Sequence, residues 1–168
     1  MLAILPSLRG FDRFLARDPA LADDLVQETV LRALDRMVQF EAGSSLKAWC
    51  FTILRNLFLE QKRRGKKERE VLAHYEQQPP SRVASPADGR QEVQELEVML
   101  WQLTPLLRDA LVLIGAHGMT YAEAAEICEV DVGTIKTRVA RARTMLHRLA
   151  RQQAGEDGAE ALMLSFSL

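Results

Sequence analysis

A segment rich in proline, serine and charged residues divides this sequence of 168 residues into two parts. Residues 66–92 begin with KKERE and continue through QQPPSRVASPADG, which shows no apolar periodicity. Such a segment buries too little apolar surface to offset the entropy lost on ordering, so we expect a flexible linker. The predicted domains are an N-terminal unit over residues 1–65 and a C-terminal unit over residues 93–152, followed by a tail over residues 153–168.

The residue types available for a core favour helices. Hydrophobic residues make up 48% of the chain but aromatic residues only 6%, so the cores must consist mainly of Leu, Ala, Val and Ile. Glycine and proline, which interrupt helices, are few. We predict an all-α fold of two small helical domains, an N-terminal three-helix bundle and a C-terminal helix-turn-helix domain, joined by the flexible linker.

The sequence disfavours several classes of protein. It has no run of about 18 apolar residues, so we expect no membrane span. The N-terminus lacks a charged leader with a long apolar stretch, and Cys50 and Cys128 lie far apart without a CxxC motif, which predicts a cytoplasmic protein. Paired carboxylates, a nucleophile–base set and metal-ligand spacing are not evident. We therefore expect no enzyme activity, no cofactor and no metal site.

Three helices are predicted in the N-terminal unit, over about residues 2–17, 19–38 and 46–64. Asp18 is placed to cap the second helix, and Pro19 occupies its first position, where no amide donor is needed. Helical spacing indicates that the second helix buries Val26, Val30, Ala33, Leu34 and Met37. In the third helix the predicted core stripe consists of Trp49, Ile53 and Leu57, widened by Cys50, Leu54 and Phe58.

The C-terminal unit carries the most specific spacing pattern. Two helices, EVQELEVMLWQL and PLLRDALVLIGA, meet at a Thr-Pro dipeptide. Thr120 begins a capping box, TYAE, and opens a short helix to about Ile127. A turn over residues 128–131 then leads into a basic helix over residues 132–150. A short helix, a tight turn and a basic helix together predict a helix-turn-helix.

Two basic clusters lie within a net charge of −1. Residues 47–69 contain eight Lys and Arg against two acidic residues, and residues 132–151 contain six against none. A helix fits the major groove of B-DNA, where Lys and Arg reach guanine edges or phosphates. We interpret the second cluster as a DNA-recognition helix. The alternative is a basic, solvated face of a helical hairpin, although such faces usually mix both signs of charge.

Three stretches resemble the extracytoplasmic-function (ECF) sigma factors. GMTYAEAAEICEVDVGTIKTRVARARTML resembles their promoter-binding C-terminal domain, and DDLVQETVLRAL resembles their core-polymerase-binding helix. FEAGSSLKAWCFTILRNLFLEQKRR resembles their −10-element-binding segment. The resemblance covers about residues 4–150, and it is greatest to the general-stress sigma factors of alphaproteobacteria, chiefly through DDLVQETVLRAL and LKAWCFTILRNLF.

The resemblance implies that Asp24, Gln27 and Glu28 bind the coiled coil of the polymerase β′ subunit. Their i, i+3 and i+4 spacing places them on one helix face. An acidic and polar face of this kind offers acceptors to basic side chains. Without the resemblance, a solvated helix face would be the better interpretation.

For the −10 element, the resemblance implies capture of unpaired DNA between Phe40 and Asn56, with Asn56 at the base-capturing position. Aromatic stacking and amide hydrogen bonds suit a base that has left the stack. The i+4 stripe favours a core position for Trp49 over a stacking platform. The expected −10 DNA-binding residues are Phe40, Lys47, Trp49, Arg55, Asn56, Lys62 and Arg63, with Arg64 as a further phosphate contact.

For the −35 element, the implied DNA-binding residues are Thr134, Lys136, Thr137, Arg138, Ala140, Arg141 and Arg143. Ala140 is smaller than the residue that the family often has at this position, so readout there is apolar or absent. Asp131 replaces the proline that commonly precedes V-G-T in the family. An acid is favoured by the helix dipole at this position but lies near phosphate.

The implied function is that of an alternative sigma factor. It would bind core RNA polymerase through the β′ and β subunits, engage duplex and single-stranded promoter DNA, and act in a stress response under an anti-sigma factor. The alternatives are a sigma-like mimic that titrates an anti-sigma factor without binding DNA, and a self-sufficient helix-turn-helix regulator. We further hypothesise that the tail GEDGAEALMLSFSL shields a polymerase- or DNA-binding surface.

Overall fold

The computed structural model describes the backbone of residues 2–16, 19–72 and 91–165, and the side chains of residues 3–16, 21–66 and 96–152. The chain divides into two units, residues 1–86 and 87–168. Throughout the described ranges the elements are helices and turns without a strand, which confirms the predicted all-α fold. The expected cap Asp18 and residues 73–90 of the predicted linker lie outside the described residues.

The first unit is a bundle of three helices, as predicted. A 3₁₀ turn at Leu2–Ile4 precedes α1 (Leu5–Ala16), and α2 spans Pro19–Asp35. A second 3₁₀ turn at Met37–Gln39 leads through a loop to α3 (Leu46–Leu72).

Large apolar side chains from all three helices form the core of this bundle. Phe11 of α1, Leu25 of α2 and Phe51 of α3 are fully buried, and the rings of Phe11 and Phe51 stack with centroids 5.0 Å apart. Thr29 is also buried, and its hydroxyl donates a 2.7 Å hydrogen bond to the Leu25 carbonyl, so its polar group is satisfied. The α3 stripe matches the prediction at Cys50, Leu54, Leu57 and Phe58, which are buried, whereas Trp49 and Ile53 are half-buried.

The prediction of which residues of the second helix face the core is wrong at the C-terminal end of that helix. Leu34 is 55% exposed and Met37 is 38% exposed. Of the other predicted residues, Val26 and Ala33 are buried and Val30 is half-buried, and Ala22, Leu25 and Thr29 complete the buried row. Because α2 carries apolar residues on more than one face, periodicity alone does not decide which stripe packs against the bundle.

Helix α3 ends at Leu72, beyond its predicted end at residue 64, and so enters the segment predicted as linker. Residues 61–72 contain no proline, and one glycine, Gly65, does not end a helix. The side chains of Glu60 and Arg64 pair at 2.5 Å with i, i+4 spacing, which supports the helix across this point.

The second unit contains α4 (Gln91–Gln102), α5 (Pro105–Gly115), α6 (Tyr121–Cys128) and α7 (Val132–Ser165). The predicted capping box opens α6, because the Thr120 hydroxyl accepts from the Glu123 amide at 3.2 Å and the Thr120 amide donates to the Glu123 carboxylate at 2.8 Å. Glu129, in the left-handed conformation with φ of 56°, ends α6. Together α6, the turn and α7 form the predicted helix-turn-helix.

The core of the second unit includes the apolar face of α7. Ile135, Val139, Ala142 and Leu146 are buried, and Leu149 is half-buried. They pack in a unit whose other fully buried side chains include Met99, Leu111, Leu113 and Ile127.

Helix α7 ends at Ser165 rather than near Ala150, so its backbone includes most of the predicted tail. Glycines at 155 and 158 each weaken a helix by about 1 kcal/mol without ending it. None of the described helices is both long enough and apolar enough to cross a membrane. The described side chains also contain no group of three His, Cys, Asp or Glu suited to a metal ion.

Candidate polymerase- and DNA-binding surfaces

Helix α2 brings together the three residues expected to bind polymerase. Asp24 and Gln27 are exposed and Glu28 is half-buried. The Glu28 carboxylate accepts a 2.7 Å hydrogen bond from Arg32 Nε, and Arg32 Nη1 lies 3.7 Å from a carboxylate oxygen of Glu60 on α3. The face therefore offers acceptors to a partner, and Arg32 orients one of them from the bundle side.

Exposed apolar side chains continue this surface toward the end of α2. Leu31 is 62% exposed, Leu34 is 55% exposed, and Val38 in the following 3₁₀ turn is 97% exposed. Leu31 follows Gln27 and Glu28 by four and three residues, so it extends the same row. Large apolar side chains grouped at a surface are typical of protein-binding sites. Sequence reasoning missed Leu34 because it assigned this residue to the core, although its i+7 spacing from Gln27 places both on one face of a helix. Val38 follows Leu34 by four residues.

Phe40 and Trp49 lie together where the loop before α3 meets the helix. Their ring centroids are 5.3 Å apart and the rings are inclined by 51°. The loop turns at Gly43, whose φ of 95° favours glycine, and the Ser45 hydroxyl accepts from the Ala48 amide at 3.2 Å to cap α3. Both aromatic residues are half-buried, so Trp49 packs on Phe40 while part of its surface stays accessible.

The other residues expected to bind −10 DNA divide into exposed and buried groups. Asn56, Lys62 and Arg63 are exposed, and Lys62 Nζ lies 4.8 Å from the centroid of the Phe58 ring. Lys47 is half-buried, with Nζ 6.0 Å from the centroid of the Phe51 ring.

Arg55 requires a correction, because it is only 7% exposed. It lies four residues after Phe51 and next to Leu54, on the inward side of α3. A side chain in this position packs within the bundle and is poorly placed to follow a phosphate backbone. The sequence offered a signal, since its buried neighbours at i−4 and i−1 define that side of the helix.

Helix α7 presents most of the residues expected to bind −35 DNA. Lys136, Thr137, Ala140 and Arg141 are exposed, whereas Thr134, Arg138 and Arg143 are half-buried. Because the opposite side of α7 is anchored in the core, these side chains are held on one rigid element. Such a face can contact DNA phosphates and base edges.

Asp131 precedes α7 and caps its first turn. One carboxylate oxygen, Oδ1, accepts from the Thr134 amide at 2.8 Å, and the other, Oδ2, accepts from the Thr134 hydroxyl at 2.6 Å. These hydrogen bonds, that of the Thr134 side chain foremost, lower the pKa of Asp131 below its usual range. A Cβ added at Gly133 would lie 3.0 Å from Asp131 Oδ1, so the glycine leaves room for the carboxylate.

Comparison with known proteins assigns the two units. The sequence matches the family Sigma-70 region 2 over residues 2–68 and the family Sigma-70, region 4 over residues 93–146. It is 44% identical over 158 residues to the ECF RNA polymerase sigma factor EcfG of Rhodopseudomonas palustris, covering 94% of this chain and 86% of that protein. This chain belongs to the ECF sigma factors. ECF sigma factors are transcription regulators and not enzymes.

Solved structures agree with this assignment. The sigma factor RpoE of Bartonella quintana, solved in complex with the anti-sigma factor NepR, is 42% identical to this ECF sigma factor, with a TM-score of 0.76 over 90% of this chain and 94% of that one. EcfG and RpoE confirm the predicted similarity to the general-stress type.

The PhyRSL–NepR complex from Sphingomonas sp. Fr1 also matches, with 22% identity and a TM-score of 0.66 over 86% of this chain and 82% of that one. A similarity at this level shows the fold alone. Because the identities above 40% are to sigma factors, the alternative of a sigma-like mimic is not favoured.

Proposed function

We propose that this ECF sigma factor binds core RNA polymerase with α2 and engages a bipartite promoter, the −10 element at α3 and the −35 element at α7. The observation that carries the proposal is the division of α7 into two faces. Ile135 and Val139 are buried, while Lys136, Thr137 and Arg141 are exposed in a helix-turn-helix. We place this activity in the cytoplasm, where a sigma factor meets polymerase and chromosome.

At the polymerase, Asp24, Gln27 and Glu28 accept hydrogen bonds from basic side chains of the β′ coiled coil. Leu31 and Val38 add apolar contact area beside them, and this supports a protein partner over a solvated face. Contacts to the β subunit complete the assembly.

At the −10 element, the exposed amide of Asn56 captures an unpaired base, and the Phe40–Trp49 pair offers a surface on which a neighbouring base stacks. Lys62 and Arg63 contact phosphates. Binding of unpaired bases offsets part of the cost of unstacking and unpairing, which couples recognition to melting.

At the −35 element, Lys136 and Arg141 are the exposed cations that contact phosphates or guanine edges. Thr137 and Ala140 lie between them and allow close approach to the groove. Thr134, Arg138 and Arg143 are less exposed and contribute at the edges of the interface.

We also propose control by an anti-sigma factor in a stress response. The complex of RpoE with NepR supports this, since RpoE is 42% identical to this chain. The exposed apolar residues of α2, Leu31, Leu34 and Val38, are surfaces that such a partner covers.

The test of the polymerase contact is affinity for core RNA polymerase. We expect the combined variant Asp24→Ala, Gln27→Ala and Glu28→Ala to bind labelled core at least about tenfold more weakly, because interface centres lose more than 1 kcal/mol per key side chain. The matched control removes exposed acids of the second unit, with Glu97→Ala and Glu126→Ala. Equal affinities of both variants, with unchanged melting temperatures, would contradict the proposed contact.

A further inference from the structure

The first turn of α7 presents hydrogen-bond acceptors and no available side-chain donor. The single hydroxyl proton of Thr134 is donated to Asp131 Oδ2 at 2.6 Å. An ionised carboxylate only accepts, and a threonine whose proton is committed has only lone pairs left to offer. Asp131 and Thr134 are therefore an acceptor-only pair.

The next threonine has the same restriction. The Thr137 hydroxyl donates to the Gly133 carbonyl at 2.9 Å, so its free capacity is also to accept. Lys136 and Arg141 have the opposite restriction, because ammonium and guanidinium groups only donate. The polar side chains at the N-terminal end of α7 thus begin with the acceptors Asp131 and Thr134, and donors first occur at Lys136.

The Asp131 carboxylate is exposed, and it forms no ion pair among the described residues. Its packing is specific, because Gly133 leaves the space that Oδ1 occupies. The carboxylate also accepts the hydrogen bond of the Thr134 amide. Without the Asp131 side chain, that amide would be available to a phosphate oxygen. This end of α7 is consequently ill suited to phosphate and suited to a neutral donor.

We propose that Asp131, together with Thr134, determines specificity at one position of the −35 element by accepting a hydrogen bond from the exocyclic amino group of a cytosine or an adenine. This inference rests on the proposed binding of α7 to −35 DNA. N-terminal residues of a recognition helix contact base edges in the major groove. There only cytosine N4 and adenine N6 donate, whereas guanine and thymine present acceptors that face the carboxylate unfavourably.

The experiment uses holoenzyme, the full chain with core polymerase, on duplex promoters with a fixed −10 element and a randomised −35 region. Bound and unbound DNA are sequenced for the natural protein, Asp131→Asn and Glu126→Gln. Asparagine keeps a capping oxygen but adds a donor in place of Oδ2. Glu126→Gln removes the same charge from an exposed position on α6. A variant Asp131→Ser retains a cap without charge if Asp131→Asn folds poorly.

We expect the natural protein to prefer cytosine or adenine over guanine and thymine about tenfold at one −35 position, as good base contacts do. Asp131→Asn should reduce this preference to less than about threefold, and Glu126→Gln should leave it unchanged. If Asp131→Asn bound every sequence more tightly and kept the same base preference, the inference would be overturned. Asp131 would then repel DNA in general and would not recognise a base. A retained preference without any change in affinity would also overturn it. If the affinity of the natural protein did not depend on the −35 sequence at any position, the proposed role of α7 would be refuted instead.

Discussion

Asp12 of α1 is the residue at which burial and charge conflict most directly. It is fully buried, and neither carboxyl oxygen has a hydrogen-bond partner among the described residues. Burial, and secondarily the nearby Asp23 carboxylate, raise the pKa of Asp12 to about 7. Between about pH 4 and 7 the folded protein therefore holds a proton on Asp12 that the unfolded chain has already lost.

This raised pKa predicts stability that falls with rising pH. The folded state binds the extra proton between the ordinary pKa of 3.8 and about 7, so the stabilisation is present below this window and lost as pH rises through 7. Asp12→Asn should be more stable than the natural protein at both pH values, by up to about 2 kcal/mol at pH 5 and up to about 4 kcal/mol at pH 8. Thermal unfolding at both pH values measures this.

Asp23→Asn provides the control, because it removes only the smaller cause and should give a smaller gain at pH 8. A difference between Asp12→Asn and the natural protein that is the same at both pH values would contradict the assignment.

Arg55 and Arg63 form a matched pair on α3, one 7% exposed and the other exposed. Arg55→Ala should lower the free energy of unfolding by about 2 kcal/mol or more, because it removes packing from the bundle. Arg63→Ala should change stability by less than about 0.5 kcal/mol and weaken promoter binding. Urea unfolding and DNA-binding titrations of both variants separate these effects. If Arg55→Ala had normal stability but no longer bound DNA, Arg55 would be a DNA-binding residue and its assignment to the core would be contradicted.

At the scale of helices, local signals in the sequence predicted where elements begin. The capping box at Thr120 is a short-range feature and was found at the expected position, and Ser45 caps α3 directly before its predicted start at residue 46. Helix ends were predicted less well, since α3 and α7 continue to Leu72 and Ser165 without a proline to stop them. Where a helix ends depends on a balance of small propensities that no single residue marks.

The buried face of one helix was predicted well and that of another was not. The inward row of α7 was predictable because charged residues occupy its other faces. The inward row of α2 was not, because Leu31 and Leu34 are apolar yet exposed. Only tertiary packing distinguishes an apolar side chain that stays exposed and available to a partner from one that is buried in the core.

The exposed end of α2 makes a prediction at this scale. Val38→Asp should leave the melting temperature nearly unchanged, because Val38 is 97% exposed, and should weaken core-polymerase binding by about tenfold through loss of an apolar contact. Val98→Asp on α4, where the natural side chain is 56% exposed, is the matched control in the second unit. Affinities that fall equally in both variants would argue against a specific contact at Val38.

For the whole molecule, the distribution of charge is more informative than its sum. Basic clusters over residues 47–69 and 132–151 lie in different units of a chain whose net charge is −1. Two anion-binding surfaces on one chain increase each other's effective concentration on a bipartite site. In the proposed function neither surface alone needs high affinity, and we expect discrimination to depend on the presence of both promoter elements.

In vitro transcription with purified core RNA polymerase tests this account most directly. On a library of promoter-like duplexes, the protein should direct transcription from a subset that shares a −35 and a −10 element. Asn56→Ala and Lys136→Ala should each abolish or strongly reduce these transcripts, while both variants retain the natural melting temperature and affinity for core polymerase. Template-specific transcription that persists undiminished in both variants would contradict the central claim that α3 and α7 recognise the promoter.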